Sequence, residues 1–126
     1  MKVEESYKGI PDKVKIGQRE YKVVVRNKQS DAQLLSSYGY TIYDSSHIIL
    51  RDCMSIGLCR STLLHEVMHA IIHDRENRYT DEVYNHKKEI NMEDMGHYFI
   101  SVFEESMVLM MINNKKLVRF LSDNIK

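Results

Sequence analysis

Fifteen consecutive residues constrain this chain more than any others: Cys59-Arg60-Ser61-Thr62-Leu63-Leu64-His65-Glu66-Val67-Met68-His69-Ala70-Ile71-Ile72-His73. Neither glycine nor proline interrupts them, and the spacing predicts one helix over residues 56–73 with Ser55 as its N-cap. Residues four apart on a helix stand one above the other, so His65 and His69 can present both imidazoles to a single cation. Glu66 then stands beside that cation without having to bind it. Leu63, Leu64, Val67, Met68, Ala70, Ile71 and Ile72 surround the polar triad with apolar residues on nearly every remaining side. Such a helix is expected to be buried, and polar groups carried into a core need partners. A bound metal supplies one. The competing reading, a solvated helix whose histidines only satisfy hydrogen bonds, sits less easily with the apolar surround.

His-Glu-x-x-His is an arrangement in which two histidines hold zinc and the carboxylate takes a proton from a water that the metal has acidified. A catalytic zinc takes three protein ligands and leaves its fourth position to water, so this helix provides two-thirds of a site. His73 continues the four-residue spacing, but three successive turns spread the imidazoles over about 12 Å, too far for one tetrahedral ion. It is read instead as an exposed or supporting residue near the helix end, where a cation suits the dipole. The third ligand is expected from a second helix over residues 92–112. Asn91 would cap that helix, Glu93 and Asp94 would fall in its first turn, and Phe99, Ile100, Phe103, Met107, Met110 and Met111 would form its apolar face. Its polar residues able to face a buried partner are His97, Ser101, Glu104 and Glu105. His97 and Glu104 are seven apart and share a face, so spacing alone does not choose between them.

The first half of the chain reads as strands. Residues 14–16 and 21–25 are alternating or β-branched around Gly17-Gln18-Arg19-Glu20, which suggests a hairpin or one bent strand pair. Residues 27–31 are turn-rich, and Ala32-Gln33-Leu34-Leu35 is long enough for one helical turn only. Residues 38–43 and 48–50 flank the turn chemistry of Asp44-Ser45-Ser46-His47, a second hairpin directly before the histidine-bearing helix. The strand over residues 48–51 is the candidate to offer its edge to an extended peptide, the alternative being an ordinary core strand. Residues 74–88 are strongly polar and read as a surface connection with a solvated His86. After Asn113-Asn114, residues 117–121 make a short last amphipathic helix. The expected fold is α+β: a small antiparallel sheet of about three to four strands packed on a buried histidine-bearing helix and a second long C-terminal helix.

The chain of 126 residues suits one domain, 1–126. Lys plus Arg and Asp plus Glu are both 18, so no net basic field favours nucleic acid, and no nucleic-acid partner is expected. The longest apolar run, residues 107–112, is too short for a bilayer, and the charged start over residues 1–6 lacks a secretory signal. No membrane partner is expected, and the default location is the cytoplasm. Cys53 and Cys59 have the wrong spacing for a redox or zinc-knuckle pair and are read as free thiols, Cys59 as a packing residue.

The run Thr62-Leu63-Leu64-His65-Glu66-Val67-Met68-His69-Ala70-Ile71, preceded by the hairpin over residues 39–52, resembles the small zincin-like metallopeptidases encoded by phages and other mobile elements, similar in style to ImmA/IrrE peptidases. Ile100, Phe103, Met107, Met111, Asn114 and Leu117 fit that family's closing helix and its asparagine-containing turn. The likeness covers most of the chain, but its specific part is the His-Glu-x-x-His segment. In that family the closing helix opens with a glutamate three residues before an aliphatic position. Matching that position to Ile100 puts His97 in the glutamate's place, a departure that leaves a chemically sound three-histidine site and sets His97 ahead of Glu104. The resemblance implies a zinc-dependent endopeptidase acting on an intracellular protein or peptide, with Zn2+ on His65, His69 and His97 and Glu66 as general base. Tyr98 or Tyr84 could stabilise an oxyanion. The alternative is a noncatalytic, zinc-stabilised binding or regulatory module. A transcriptional regulator loses weight from the neutral charge.

Overall fold

The computed structural model describes the backbone of residues 7–86 and 92–123, and the side chains among them except those at 76–86, 92–95, 98, 99 and 102. Strand β1 (Lys13–Ile16) alternates lysines outward with Val14 and Ile16 inward, the pattern of a half-buried strand. Gly17 turns the chain at a φ of 61°, the left-handed region that glycine enters freely, and β2 (Arg19–Arg26) returns antiparallel with Val14 opposite Tyr21. A one-turn 3-10 helix (Ala32–Leu35) follows, its first turn capped by Asp31, whose Oδ1 accepts from Gln33 N at 3.1 Å. Strands β3 (Gly39–Ile42) and β4 (His47–Arg51) then form the second hairpin, with Tyr40 opposite Ile49.

The fold is α+β, and both hairpins form where the turn chemistry places them. Their assembly departs from the expected antiparallel sheet. The order is β1-β2-β4-β3, and β4 lies parallel to β2, pairing Val23 with Ile48 and Val25 with Leu50. The segment after β2 carries the chain across to the far side before β3 begins, so β4 re-enters beside β2 running the same way. The sheet is therefore mixed. Strand β4 is hydrogen-bonded on both sides, which removes it as the edge for an extended peptide. Strand β3 holds the outer position next to it.

Helix α1 (Ile56–His86) starts where Leu58 N donates to Ser55 Oγ at 3.2 Å. It continues well beyond residue 73, because no glycine or proline occurs from residue 58 to residue 86 and the polar residues there suit a solvated helix. The expected surface connection is thus largely more of the same helix. Cys59, Leu63, Val67, Ala70 and Ile71 share one core with Val14 and Ile16 of β1, Tyr21 of β2 and Ile48 and Leu50 of β4. The opposite side of α1 is open, leaving His65, Met68 and His69 exposed, so the helix is buried on one face and not all round.

Helix α2 (Met92–Asn113) adds Phe103, Met107 and Met110 to that core, and α3 (Lys115–Ser122) adds Leu117 and Phe120. Ile100 and Met111, expected on the buried face of α2, are 64% and 43% exposed. Between these helices, buried Asn114 completes the outer edge of β1 as a short strand would. Its Oδ1 accepts from Lys15 N at 2.6 Å, while Nδ2 donates to Lys15 O at 2.6 Å and to Met110 O at 2.8 Å. Among the described residues no helix is long and apolar enough to cross a membrane.

Candidate metal centre

Side chains of a strand alternate between faces, and β3 uses that alternation to meet α1. Gly39 comes first. A Cβ there would fall 2.8 Å from Ile49 O and 2.9 Å from Thr62 Cγ2, so the approach of β3 to α1 depends on its absence. Two residues on, Thr41 Oγ1 donates to Glu66 Oε1 at 3.0 Å. Two further, the Tyr43 ring stacks on His73 with centroids 4.0 Å apart and planes 16° from parallel. His73 is therefore a half-buried mid-helix residue packed on an aromatic ring.

The intervening residue, Tyr40, points to the other side and donates to Asp31 Oδ2 at 2.6 Å, with Arg26 at 3.4 Å from the same oxygen. The Tyr40 hydroxyl holds the Asp31 carboxyl below its ordinary range, and burial followed by the hydrogen bond to Asp31 pushes the Tyr40 phenol up. This cluster ties the connection after β2 to the strand that faces α1.

Glu66 is 6% exposed, whereas the histidines on either side of it are open to solvent. His65 Nε2 and His69 Nε2 face each other at 3.0 Å, with the rings 76° apart, and His65 Nε2 is 4.0 Å from Glu66 Oε2. Zinc–nitrogen bonds at a tetrahedral angle would place two imidazole nitrogens about 3.3 Å apart, so a few tenths of an ångström of opening fits the pair to one ion. The donor type and spacing suit zinc. A cleft of about 360 Å³ lies between residues 37–39 and the start of α1, where Ser61, Thr62, His65 and Glu66 form its wall. At its rim the Arg51 guanidinium sits 4.7 Å from the centre of the Tyr38 ring.

His65, Glu66 and His69 thus come together as the helical spacing predicts, but the expected third ligand does not join them. Among the described residues no three His, Cys, Asp or Glu side chains form a metal-holding group. His97 and Glu104 are both exposed on α2, and the His97 carbonyl accepts from Ser101 Oγ at 3.0 Å. The reason is rotational. The buried stripe of α2 runs through Phe103, Met107 and Met110, and Glu104 lies one position round from it, with His97 seven residues earlier on the same face. Tyr84, Tyr98, Phe99, His86, Asn91, Glu93 and Asp94 lie outside the described side chains. Thr41 escaped the sequence reading, although the period of two starting at Gly39 was its available signal. Cys53 and Cys59 are free thiols, as expected.

No family model, no curated protein and no solved structure matches this chain.

Proposed function

We propose that this protein is a zinc-dependent endopeptidase of the zincin-like kind, hydrolysing peptide bonds of an intracellular protein in the cytoplasm. One observation carries the reading: two exposed imidazoles converge on a common point beside a carboxylate that is buried and held by a hydroxyl from the neighbouring strand. His65 and His69 would hold the ion through Nε2. When bound, zinc supplies Lewis-acid polarisation of the carbonyl and a water acidified to a pKa of about 7. Glu66 would then serve as the general base and hand its proton on to the leaving amine. Thr41 fixes one carboxylate oxygen and leaves Oε2 turned toward the His65 side, where the proton must be collected.

An extended substrate fits the outer side of β3, which is hydrogen-bonded to β4 along one edge and runs beside Glu66. Backbone pairing there would lay a peptide bond near the histidines, and the cleft beside Gly39 would take a side chain. The third ligand, His97 by the resemblance or else Glu104, stands apart from the two histidines in the structure and would have to be brought to them when the ion binds.

The test begins with metal analysis of protein purified without chelators. One zinc per chain is expected, lost in His65→Ala and His69→Ala and kept in Glu66→Gln. Loss in His97→Ala or in Glu104→Ala identifies the third ligand. Cleavage of unfolded casein, followed by mass spectrometry and absent in Glu66→Gln, establishes the activity. A metal-free wild type overturns the enzyme reading. Bound zinc with four protein ligands and no cleavage would favour the noncatalytic zinc-stabilised module.

A further inference from the structure

Because side chains alternate along a strand, the residues that β1, β2 and β4 turn away from α1 share the outer face of the sheet. On β1 and β2 these include Lys13, Lys15, Lys22 and Arg26, and on β4 Arg51. Two acids stand on the same side. Glu20 lies 3.6 Å from Lys13, and Asp31 lies 3.4 Å from Arg26. Lys15, Lys22 and Arg51 have no acidic partner among the described residues. The chain as a whole carries 18 residues of each sign, so folding segregates charge that the sequence balances.

The register sharpens the imbalance. Lys13 stands directly opposite Lys22, and Arg26 directly opposite Arg51. Like charges in such positions cost stability. The core side of the same strands fixes the register, with Val14 opposite Tyr21 and Val25 beside Leu50, so the strands cannot slide to relieve the repulsion. An anionic partner can. Lys22 and Arg26 are four residues apart on β2, about 13 Å, so the cations form a track and not a cup for one small anion.

An aromatic ring ends the track. Arg51 N donates to Tyr38 O at 2.9 Å, which sets the two residues side by side, and the Arg51 guanidinium lies 4.7 Å from the centre of the Tyr38 ring. That ring is 48% exposed. A π surface backed by a cation is a platform on which an unpaired base stacks. An acidic peptide or a lipid headgroup would use the charges and leave the ring without a role.

We propose that the outer face of the sheet binds a single-stranded nucleic acid, with phosphates on Lys13, Lys15, Lys22 and Arg26 and a base on Tyr38 backed by Arg51. The neutral total charge conceals this face, since a sum over the chain carries no information about where the charges go. Binding here needs neither zinc nor Glu66, so it stands apart from the peptidase reading.

Fluorescence anisotropy of a labelled oligo(dT) of ~15 nucleotides, titrated with the full chain at ~100 mM salt, should give a Kd of about 1–100 µM. Lys15→Gln with Lys22→Gln should weaken binding about tenfold and flatten the slope of log affinity against log salt by about 1.4, roughly 0.7 for each lost phosphate contact. Tyr38→Leu should weaken it by about fivefold or more at unchanged slope, while Tyr38→Phe keeps the wild-type affinity. All three altered side chains are exposed, and circular dichroism checks that the variants are folded. Polyglutamate and phosphatidylserine vesicles should compete about tenfold or more less well than unlabelled oligo(dT). Absence of binding overturns the proposal, as does binding indifferent to the loss of both lysines or a Tyr38→Leu affinity equal to that of Tyr38→Phe. Equal competition by polyglutamate or by vesicles also overturns it, and would assign the face to an acidic protein or to a membrane surface.

Discussion

Replacing Thr41 by valine exchanges a hydroxyl for a methyl of nearly the same shape and removes the donor that reaches Glu66 Oε1 at 3.0 Å from β3. Because Glu66 is 6% exposed, water does not readily take the hydroxyl's place, and the bond counts as one to a buried charged group. Such bonds contribute about 1.5–3 kcal/mol to stability. For a chain of this size that corresponds to a fall in Tm of roughly 5–12 °C. Urea unfolding with linear extrapolation measures the loss, and Thr41→Ser should recover most of it by keeping the donor. In a Glu66→Gln background the same Thr41→Val change removes only a neutral hydrogen bond, worth about 0.5–1.5 kcal/mol, so the cycle should show coupling of about 1 kcal/mol. On the proposed function, zinc content should be unchanged, since Thr41 touches neither imidazole, while casein cleavage should fall through kcat as Glu66 loses its orientation. A loss below about 0.5 kcal/mol, or an equal loss in both backgrounds, would refute the assignment of Thr41 as the residue that positions Glu66.

Three further outcomes follow from the packing. Asn114→Ala removes three side-chain bonds to Lys15 and Met110 and uncovers the outer edge of β1, and unfolding curves should register a loss of about 2–4 kcal/mol, with Asn114→Asp recovering only part of it. The exposed Cys53 thiol should alkylate readily in the native protein, whereas Cys59, buried and pushed up to about 12, should react only after unfolding, as mass spectrometry of iodoacetamide-treated protein would record. Cys59 and Tyr7, also pushed up to about 12 by burial, keep their protons in the folded state after the unfolded chain has begun to lose them. Their contribution to stability is complete below the unfolded values of 9.0 and 10.0 and is lost as the pH climbs toward about 12, so urea midpoints should fall across that window and not below it.

The local features of the candidate site were legible in the sequence because they depend on the geometry of one helix. The four-residue spacing of His65 and His69, the position of Glu66 beside them and the Ser55 cap need no information from elsewhere in the chain. Both hairpins were legible for the same reason, since turn residues act over a few positions. The extension of α1 to His86 was written in the absence of breakers but masked by polarity, which solvated helices share with loops.

Tertiary structure decided the rest. Parallel pairing of β2 with β4 moved the outer position from residues 48–51 to β3 and so brought Thr41 to Glu66, a contact across 25 residues whose face the period of two from Gly39 marks but whose partner it does not name. The rotation of α2 was equally hidden. An apolar run that encircles the helix carries no preferred face, and only packing against α1, β1 and α3 selected Phe103, Met107 and Met110 for the core. That choice turned His97 and Glu104 toward solvent, because on a helix of 3.6 residues per turn a shift of one position swings a side chain through about 100°.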